Sequence, residues 1–130
     1  MSGRRKEKQT ILVVEDEADV LTLVARTVEL EGYHVLRAAD ASAGLRLLQE
    51  NRVDLVLLDL LLPDMDGWEV FQQMKNSPQL RAIPVVVLSA SASPERHEGA
   101  LAKGAAAFLV KPVNLDELIK TLRQVLRGRR

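Results

Sequence analysis

Acidic side chains stand where two short apolar segments of the sequence end. The segment ILVV runs directly into Glu15, Asp16 and Glu17, and the segment LVLL ends in Asp59. Asp59 is the sharper signal, because a carboxylate between LVLL and LLLP is costly to bury unless it has a partner or a chemical task. Acidic residues after a strand also commonly cap the next helix, so Glu15 and Asp16 by themselves are equally consistent with a capping role.

Two further apolar segments end in groups that complement these carboxylates. VVVL is followed by Ser89, and FLV is followed by Lys111 and Pro112. Each has an ordinary alternative, since serine is common in loops and a lysine at a strand end can simply reach water. Asp64 and Asp66, in PDMDG, are better explained as turn and cap residues than as ligands. The joint arrangement favours a shared site more strongly than any single residue does.

The chemistry of such a site follows from its charges. Converging carboxylates need a countercharge, because like-charged neighbours raise each other's pKa. Mg²⁺ commonly binds through one or two carboxylates plus waters and phosphate oxygens. A divalent ion and Lys111 together would balance the charges of Glu15, Asp16 and Asp59. Because phosphoryl transfer needs mainly positioning and charge neutralisation, these residues predict that Asp59 is a nucleophile forming an acyl phosphate, with Lys111 and the Ser89 hydroxyl bonding phosphoryl oxygens.

The elements that must position these residues can be predicted from hydrophobic periodicity. Short apolar segments alternate with segments of helical spacing. The strands are predicted at Ile11–Val14, His34–Ala38, Leu55–Leu58, Val85–Leu88 and Ala107–Val110. Apolar strands joined by crossover helices are parallel and buried on both faces. The predicted fold is therefore α/β, a single doubly wound (βα)5 domain with a parallel five-stranded sheet of order 2-1-3-4-5 (flavodoxin-like), in which ligands bind beyond the carboxyl ends of the first and third strands.

Capping residues predict where the helices begin and end. Asp40 is a candidate cap of the second helix, Ser93 precedes a proline that would open the fourth, and Asn114 begins a capping box before the fifth. Gly32 and Gly104 are expected where helices stop. The face of the first helix that is expected to enter the core comprises Val20, Leu23, Val24 and Val28.

Composition excludes several classes of protein. The 130 residues suit one domain, predicted over 10–127, with charged tails at 1–9 and 128–130. A balance of 18 basic and 18 acidic side chains gives no general attraction to nucleic acid or anionic lipid. Absence of cysteine excludes disulfides, thiolate catalysis and cysteine zinc sites. No uncharged stretch approaches the ~20 apolar residues of a membrane span. We expect a soluble, cytoplasmic protein.

Four stretches make the chain recognisable: ILVVEDE, DLVLLDLLLPDMDGWEV, IPVVVLSA and GAAAFLVKP. In this order they resemble the receiver domain of two-component response regulators, of the chemotaxis-regulator type, over about residues 9–127. The resemblance implies that Asp59 is the phosphoacceptor. It implies that Glu15 and Asp16, a variant of the more frequent Asp-Asp pair, hold Mg²⁺ or Mn²⁺ together with Asp59 and the backbone carbonyl of Leu61.

The resemblance also implies how a signal would leave the site. Ser89 would be the hydroxyl that reports phosphorylation, Lys111 the lysine that contacts phosphate, and Phe108 a switch aromatic that moves from an exposed to a buried position. The Lys111–Pro112 bond would be cis, although only ~5–6% of X–Pro bonds are. Partners would be a sensor histidine kinase or histidine phosphotransfer protein, and then a downstream protein or a second copy of the chain at the face formed by helix 4, strand 5 and helix 5.

Other function classes are less consistent with the residues. A phosphatase resembling the haloacid dehalogenase class needs a second acid two residues after the nucleophile, where Leu61 stands. A receiver-like module that is never phosphorylated would be expected to lack the acceptor, an acid or the lysine. A DNA-binding regulator would need a helix-turn-helix after Arg127. We therefore expect no direct binding of nucleic acid or membrane, and no turnover of an external substrate beyond the domain's own phosphorylation and dephosphorylation.

Overall fold

Five strands alternate with five helices in the computed structural model, which describes residues 8–90 and 93–127. The strands are β1 Thr10–Val14, β2 His34–Ala38, β3 Leu55–Asp59, β4 Val85–Ser89 and β5 Ala107–Val110. The helices are α1 Ala18–Leu30, α2 Ala41–Glu50, α3 Gly67–Lys75, α4 Pro94–Ala102 and α5 Leu115–Arg127. All pairings are parallel and the order is β2-β1-β3-β4-β5, so the predicted topology is confirmed. Of the predicted tails 1–9 and 128–130, residues 1–7 and 128–130 lie outside the described residues.

The sheet is covered by helices on both faces. In β1, Ile11 and Val13 pack with α1 and α5, whereas Leu12 and Val14 pack in the core that contains α2, α3 and α4. This alternation follows from the two-residue period of a strand. These four side chains are fully buried, as expected for a central parallel strand, and only Thr10 at the start of β1 is partly exposed. Among the described residues, no helix is both long and apolar enough to cross a membrane.

The helix boundaries agree with most of the capping predictions. The Asp40 carboxylate accepts a hydrogen bond of 2.8 Å from the amide of Ala43, and Asn114 accepts one of 2.9 Å from the amide of Glu117. Gly32 and Gly104 have φ values of 97° and 107°, the left-handed region in which glycine is favoured after a helix. Ser93 directly precedes α4, and its hydroxyl lies 3.1 Å from the Glu95 carboxylate.

Two predictions about the elements need correction. Strands β3 and β4 each extend one residue further than predicted, so that Asp59 and Ser89 are strand residues rather than loop residues. Leu23 was wrongly placed in the core, because 52% of it is exposed. The buried strip of α1 consists of Val24, Ala25 and Val28. Since each residue turns the helix by about 100°, Leu23 lies roughly 150° from the centre of that strip and faces solvent.

Candidate metal and phosphoryl site

The predicted site residues meet at the carboxyl ends of β1, β3 and β5. Asp59 is the last residue of β3 and Glu15 follows β1 directly; their exposed fractions are 3% and 0%. Lys111 follows β5 directly, and its peptide bond to Pro112 is cis, as predicted. A cavity of about 200 Å³ opens here, lined by Asp16, Glu17, Asp59, Leu61, Ala90 and Lys111. The strand ends therefore place the acidic and basic groups around one opening.

Lys111 is the centre of the charge cluster. Its Nζ lies 2.7 Å from Oε1 of Glu15, 3.1 Å from Oε1 of Glu17 and 3.2 Å from Oδ2 of Asp59. The contacts with Glu17 and Asp59 are hydrogen bonds. The contact with Glu15 is short but poorly directed, and Oε1 accepts no well-aligned hydrogen bond from any described group. Because Coulomb attraction depends on distance rather than on angle, we treat this contact as an ion pair.

Burial and charge shift two pKa values in the cluster. Burial raises the pKa of Glu15 above its usual range, while Lys111 opposes part of that rise. Burial also lowers the pKa of Lys111, but the contact with Glu15 and the charge of Asp59 outweigh it, so the net pKa of Lys111 is raised. Lys111 therefore stays a cation at neutral pH. Three carboxylates, those of Glu15, Glu17 and Asp59, contact this lysine, and the carboxylate of Asp16 lines the same cavity.

The acidic groups are close enough to share a divalent ion. One carboxylate oxygen from each of Glu15, Asp16 and Asp59 lies within 4.8 Å of the others. Asp16 is exposed, which leaves it open to solvent, whereas Glu15 and Asp59 are buried. The donor set consists of hard oxygen ligands, which suit Mg²⁺ or Mn²⁺. These residues fit a divalent cation.

The backbone around Asp59 is fixed by a close approach of α3. The amide of Leu61 donates a hydrogen bond of 3.1 Å to Oδ1 of Asp59, and the amide of Gly67 donates one of 2.9 Å to the carbonyl of Leu60. A Cβ atom at Gly67 would lie 2.5 Å from the carbonyl oxygen of Asp59 and 2.6 Å from Cα of Leu60. Glycine is therefore required where α3 begins, because any side chain would push the helix off the strand end that carries Asp59.

The two predicted switch residues are both buried. Ser89 ends β4 with 6% of it exposed, and the wall of the cavity beside it is formed by Ala90. Phe108 is also 6% exposed, and it lies opposite Val87 within the core. The exposed position from which Phe108 was expected to move is thus not the one observed. The observed packing of β4 and β5 therefore already accommodates the Phe108 ring in its buried position.

Sequence reasoning missed one residue at the site. Glu17 contacts Lys111, although it was noted only as part of the acidic run EDE. The available signal was its place in the acidic run that follows β1. Glu17 directly precedes α1 but makes no capping hydrogen bond with its side chain, which can therefore turn to the lysine. Asp64 is a cap residue, as one of the two expected roles had it, but the helix that it caps is α2 rather than the helix that follows it in the chain. Asp66 does cap its own helix, at the amide of Trp68.

Comparison with known proteins identifies a family. The family model described as the response regulator receiver domain matches residues 11–123. The polar-differentiation response regulator DivK of Brucella anthropi is 31% identical over 118 residues, which are 91% of this chain and 96% of DivK. The transcriptional regulatory protein PrrA of Mycobacterium tuberculosis is 38% identical over 119 residues, which are 92% of this chain and 50% of PrrA. The chain thus spans about half the length of several curated relatives that it matches.

Solved structures agree with this assignment. The chemotaxis response regulator CheY4 of Vibrio cholerae matches with a TM-score of 0.86 and 33% identity, over 92% of this chain and all of that chain (100%). A CheY-like receiver domain protein of Methanospirillum hungatei matches with a TM-score of 0.84 and 32% identity, over 94% and 96% of the two chains. Receiver domains are signalling domains that partner with histidine kinases or phosphotransfer proteins, and they do not turn over an external substrate. The sequence match, the fold and the acidic cavity agree that this chain belongs to the response regulator receiver domain family.

Proposed function

We propose that Asp59 accepts a phosphoryl group from the phosphohistidine of a sensor histidine kinase or a phosphotransfer protein, in a reaction that depends on Mg²⁺ or Mn²⁺. The observation that carries this proposal is the hydrogen bond of 3.2 Å from Lys111 to the buried Asp59 carboxylate, beside the acidic cluster. Glu15, Asp16, Asp59 and the backbone carbonyl of Leu61 would hold the ion. When bound, the ion would neutralise charge on the phosphoryl oxygens and on the acidic cluster.

The Asp59 carboxylate is oriented for attack by two donors. The Leu61 amide bonds Oδ1 and Lys111 bonds Oδ2, so the carboxylate is held from both sides. A carboxylate oxygen forms the new P–O bond, the P–N bond of the donor breaks, and its electron pair returns to the imidazole nitrogen. Lys111 can stay with the anionic product and bond a phosphoryl oxygen, and the hydroxyl of Ser89 can bond another. Reversal by water would return Asp59 and free phosphate.

The output of the domain would be a change of shape at the face formed by α4, β5 and α5. Phosphoryl oxygens on Asp59 would draw the Ser89 hydroxyl inward, and Phe108 would be held in the buried position. Since burial of one aromatic side chain is worth about 1.5–3 kcal/mol, phosphorylation can shift the balance between buried and exposed positions. A downstream protein or a second copy of the chain would bind this face. The proposal includes a cytoplasmic location and the domain bounds 10–127.

The test is the mass of the intact protein after incubation with acetyl phosphate and Mg²⁺. The parent should gain the mass of one phosphoryl group. Asp59→Asn keeps the shape of the side chain but removes the nucleophilic charge, so it should gain none while remaining folded. The matched control is Asp116→Asn, an exposed aspartate on α5, which should react like the parent. An adduct in Asp59→Asn, or an equal rate in EDTA, would refute the assignment.

A further inference from the structure

Asp64 connects two segments that are far apart in the sequence. Its Oδ1 accepts a hydrogen bond of 2.9 Å from the amide of Ala41, and its Oδ2 accepts bonds of 2.9 Å and 2.8 Å from the amide and hydroxyl of Ser42. Ala41 and Ser42 are the first two residues of α2. Asp64 lies in the connection between β3 and α3, residues 60–66, which we call the acceptor loop. These hydrogen bonds connect the acceptor loop to α2, whereas the helix that follows the loop in the chain is α3.

The start of α2 is completed by this contact. The first four amides of a helix have no partner within the helix. In α2, Asp64 accepts from the amides of residues 41 and 42, and the Asp40 side chain accepts from residue 43. The backbone carbonyl of Asp40 accepts from Gly44 at 3.1 Å. The carboxylates of Asp64 and Asp40 thus accept from the amides of residues 41, 42 and 43, whereas the Gly44 bond is the first hydrogen bond within the helix itself. The helix dipole favours a negative charge at this end.

Asp64 lies at the tip of the acceptor loop, whereas Asp59 directly precedes the base of the loop. The loop is closed at its base, where Leu61 pairs with Asp66 and the Gly67 amide bonds the carbonyl of Leu60. Its contact with α2 comes from the tip, through Asp64. Leu61, within the loop, lines the cavity and bonds the acceptor carboxylate through its amide. A loop fixed at base and tip can hold the backbone at Leu61 in one place.

We propose that Asp64 is a positioning residue, which holds the acceptor loop against α2 and so fixes the backbone of Leu61 beside the acidic cluster before the ion arrives. The inference rests on the proposed function, because it assigns Asp64 a role in the metal affinity of that same site. Asp64 contacts neither the ion nor the phosphoryl group; it acts through the loop. Removing the carboxylate releases the loop tip, and ion binding must then order the loop at an entropic cost.

A purely structural role predicts a different result, and α2 offers a matched control. Asp40→Ala removes a carboxylate from the same helix start, at the amide of Ala43, but Asp40 is outside the acceptor loop. Both Asp40→Ala and Asp64→Ala should lower the resistance to urea. Only Asp64→Ala should weaken the binding of Mg²⁺, measured by calorimetry, and we expect a rise of about tenfold in the dissociation constant, as for other outer partners of metal ligands. Asp64→Asn keeps one acceptor oxygen and should lie between parent and Asp64→Ala.

A second measurement needs no metal at all. Hydrogen exchange at the amide of Leu61 should be faster in metal-free Asp64→Ala than in the parent, and unchanged in Asp40→Ala. If the parent and both variants bind Mg²⁺ equally, and the Leu61 amide exchanges at the same rate in all three, Asp64 is only a helix cap. The inference is then wrong, while the proposed function stands. If weakening is equal in Asp40→Ala and Asp64→Ala, the effect belongs to α2 and the inference is again wrong. A parent that binds no Mg²⁺ overturns the proposed function itself.

Discussion

The backbone amide of Lys111 donates a hydrogen bond of 2.8 Å to the backbone carbonyl of Ser89. Ser89 also lies opposite Val110 in the pairing of β4 with β5. The hydroxyl and the ammonium that are proposed to bond the phosphoryl group are thus carried on adjacent strand ends joined by a direct backbone contact. In the proposed switch, an inward movement of Ser89 would be shared with the start of the segment after β5, which would give the signal a short path from Asp59 to the proposed output face.

Ser89→Ala should separate phosphorylation from signalling. The variant keeps Asp59 and Lys111, so it should still gain a phosphoryl group, more slowly by about tenfold, which corresponds to the loss of one hydrogen bond of about 1.4 kcal/mol. Amide spectra with and without beryllofluoride measure the response. In the parent, shifts should reach residues 94–110; in the variant they should stay near Asp59. Shifts confined to Asp59 in the parent would contradict the proposed switch.

Lys111→Met should weaken the fold and strengthen metal binding. The change leaves the buried Glu15 carboxylate without its cation, and removing one partner of a buried ion pair costs about 3 kcal/mol or more. Because the cluster loses its positive charge, Mg²⁺ should bind more tightly while phosphoryl transfer falls. Urea unfolding and calorimetry measure the two effects. Lys120→Met, on the surface of α5, serves as control, and weaker Mg²⁺ binding in Lys111→Met would contradict the charge argument.

Gly67→Ala and Gly99→Ala should have opposite effects. At Gly67 the new Cβ would meet backbone atoms of Asp59 and Leu60, so overpacking should cost about 1–3 kcal/mol and slow phosphorylation. At Gly99, within α4, no described side chain or distant backbone atom lies within 4 Å of the Cβ position. There alanine should stabilise by up to about 1 kcal/mol through helix propensity. Thermal unfolding of both variants tests this. If Gly67→Ala leaves the stability unchanged, α3 can move away from the end of β3 without destabilising the fold.

Loss of Asp16 should impair metal binding, and Trp68 can report it. Trp68 opens α3 next to Gly67, its ring packs edge-on against Phe71 with centroids 5.4 Å apart, and Nζ of Lys103 lies 4.3 Å from its centroid. Ion binding at the end of β3 should alter its fluorescence. Asp16→Ala should raise the Mg²⁺ dissociation constant by about tenfold or more, equivalent to at least about 1.4 kcal/mol.

The control for this experiment is Asp19→Ala, an exposed carboxylate in the first turn of α1. It should titrate like the parent. If Asp16→Ala also does so, Asp16 belongs to the solvated start of α1 and not to the metal site.

The contact of Asp64 with α2 should depend on pH in the acid range. The amides of Ala41 and Ser42 lower the pKa of Asp64 below its usual range. A carboxyl group whose pKa is lower in the folded state stabilises that state above its unfolded pKa, and the contribution is lost as the pH falls through the folded value. The difference in unfolding free energy between parent and Asp64→Ala should therefore be constant near neutral pH and shrink in acid. A carboxyl titration by NMR that places Asp64 at or above the usual aspartate value would contradict this.

The fold could be predicted because its signals are local. Strand runs such as ILVV and the capping residue Asp40 act within a few positions, and the crossover rule then supplies the topology. Leu23 shows the limit of periodicity, which locates the centre of a helix face but not its edge. The extension of β3 to include Asp59 depended on pairing with Leu88, which no local pattern reports.

The site could be predicted less completely, because its residues act through tertiary contacts. The strand-end positions of Asp59 and Lys111 follow from the topology. The turn of Glu17 towards Lys111 and the reach of Asp64 to α2 do not, since each depends on the exact approach of two distant segments. The buried position of Phe108 likewise depends on how α4 and β5 pack around it.

The sequence distance between the partners of Lys111 has a consequence for biosynthesis. Asp59 lies 52 residues before Lys111, and Glu17 lies 94 residues before it. While the ribosome is still adding the last strand, the emerged part of the chain carries the acidic groups without their cation. Charge repulsion at the end of β1 and β3 then opposes compaction until β5 arrives or a divalent ion takes its place. Binding of Mg²⁺ at the proposed site would therefore favour the early folding of the nascent chain, well before the acceptor can be used.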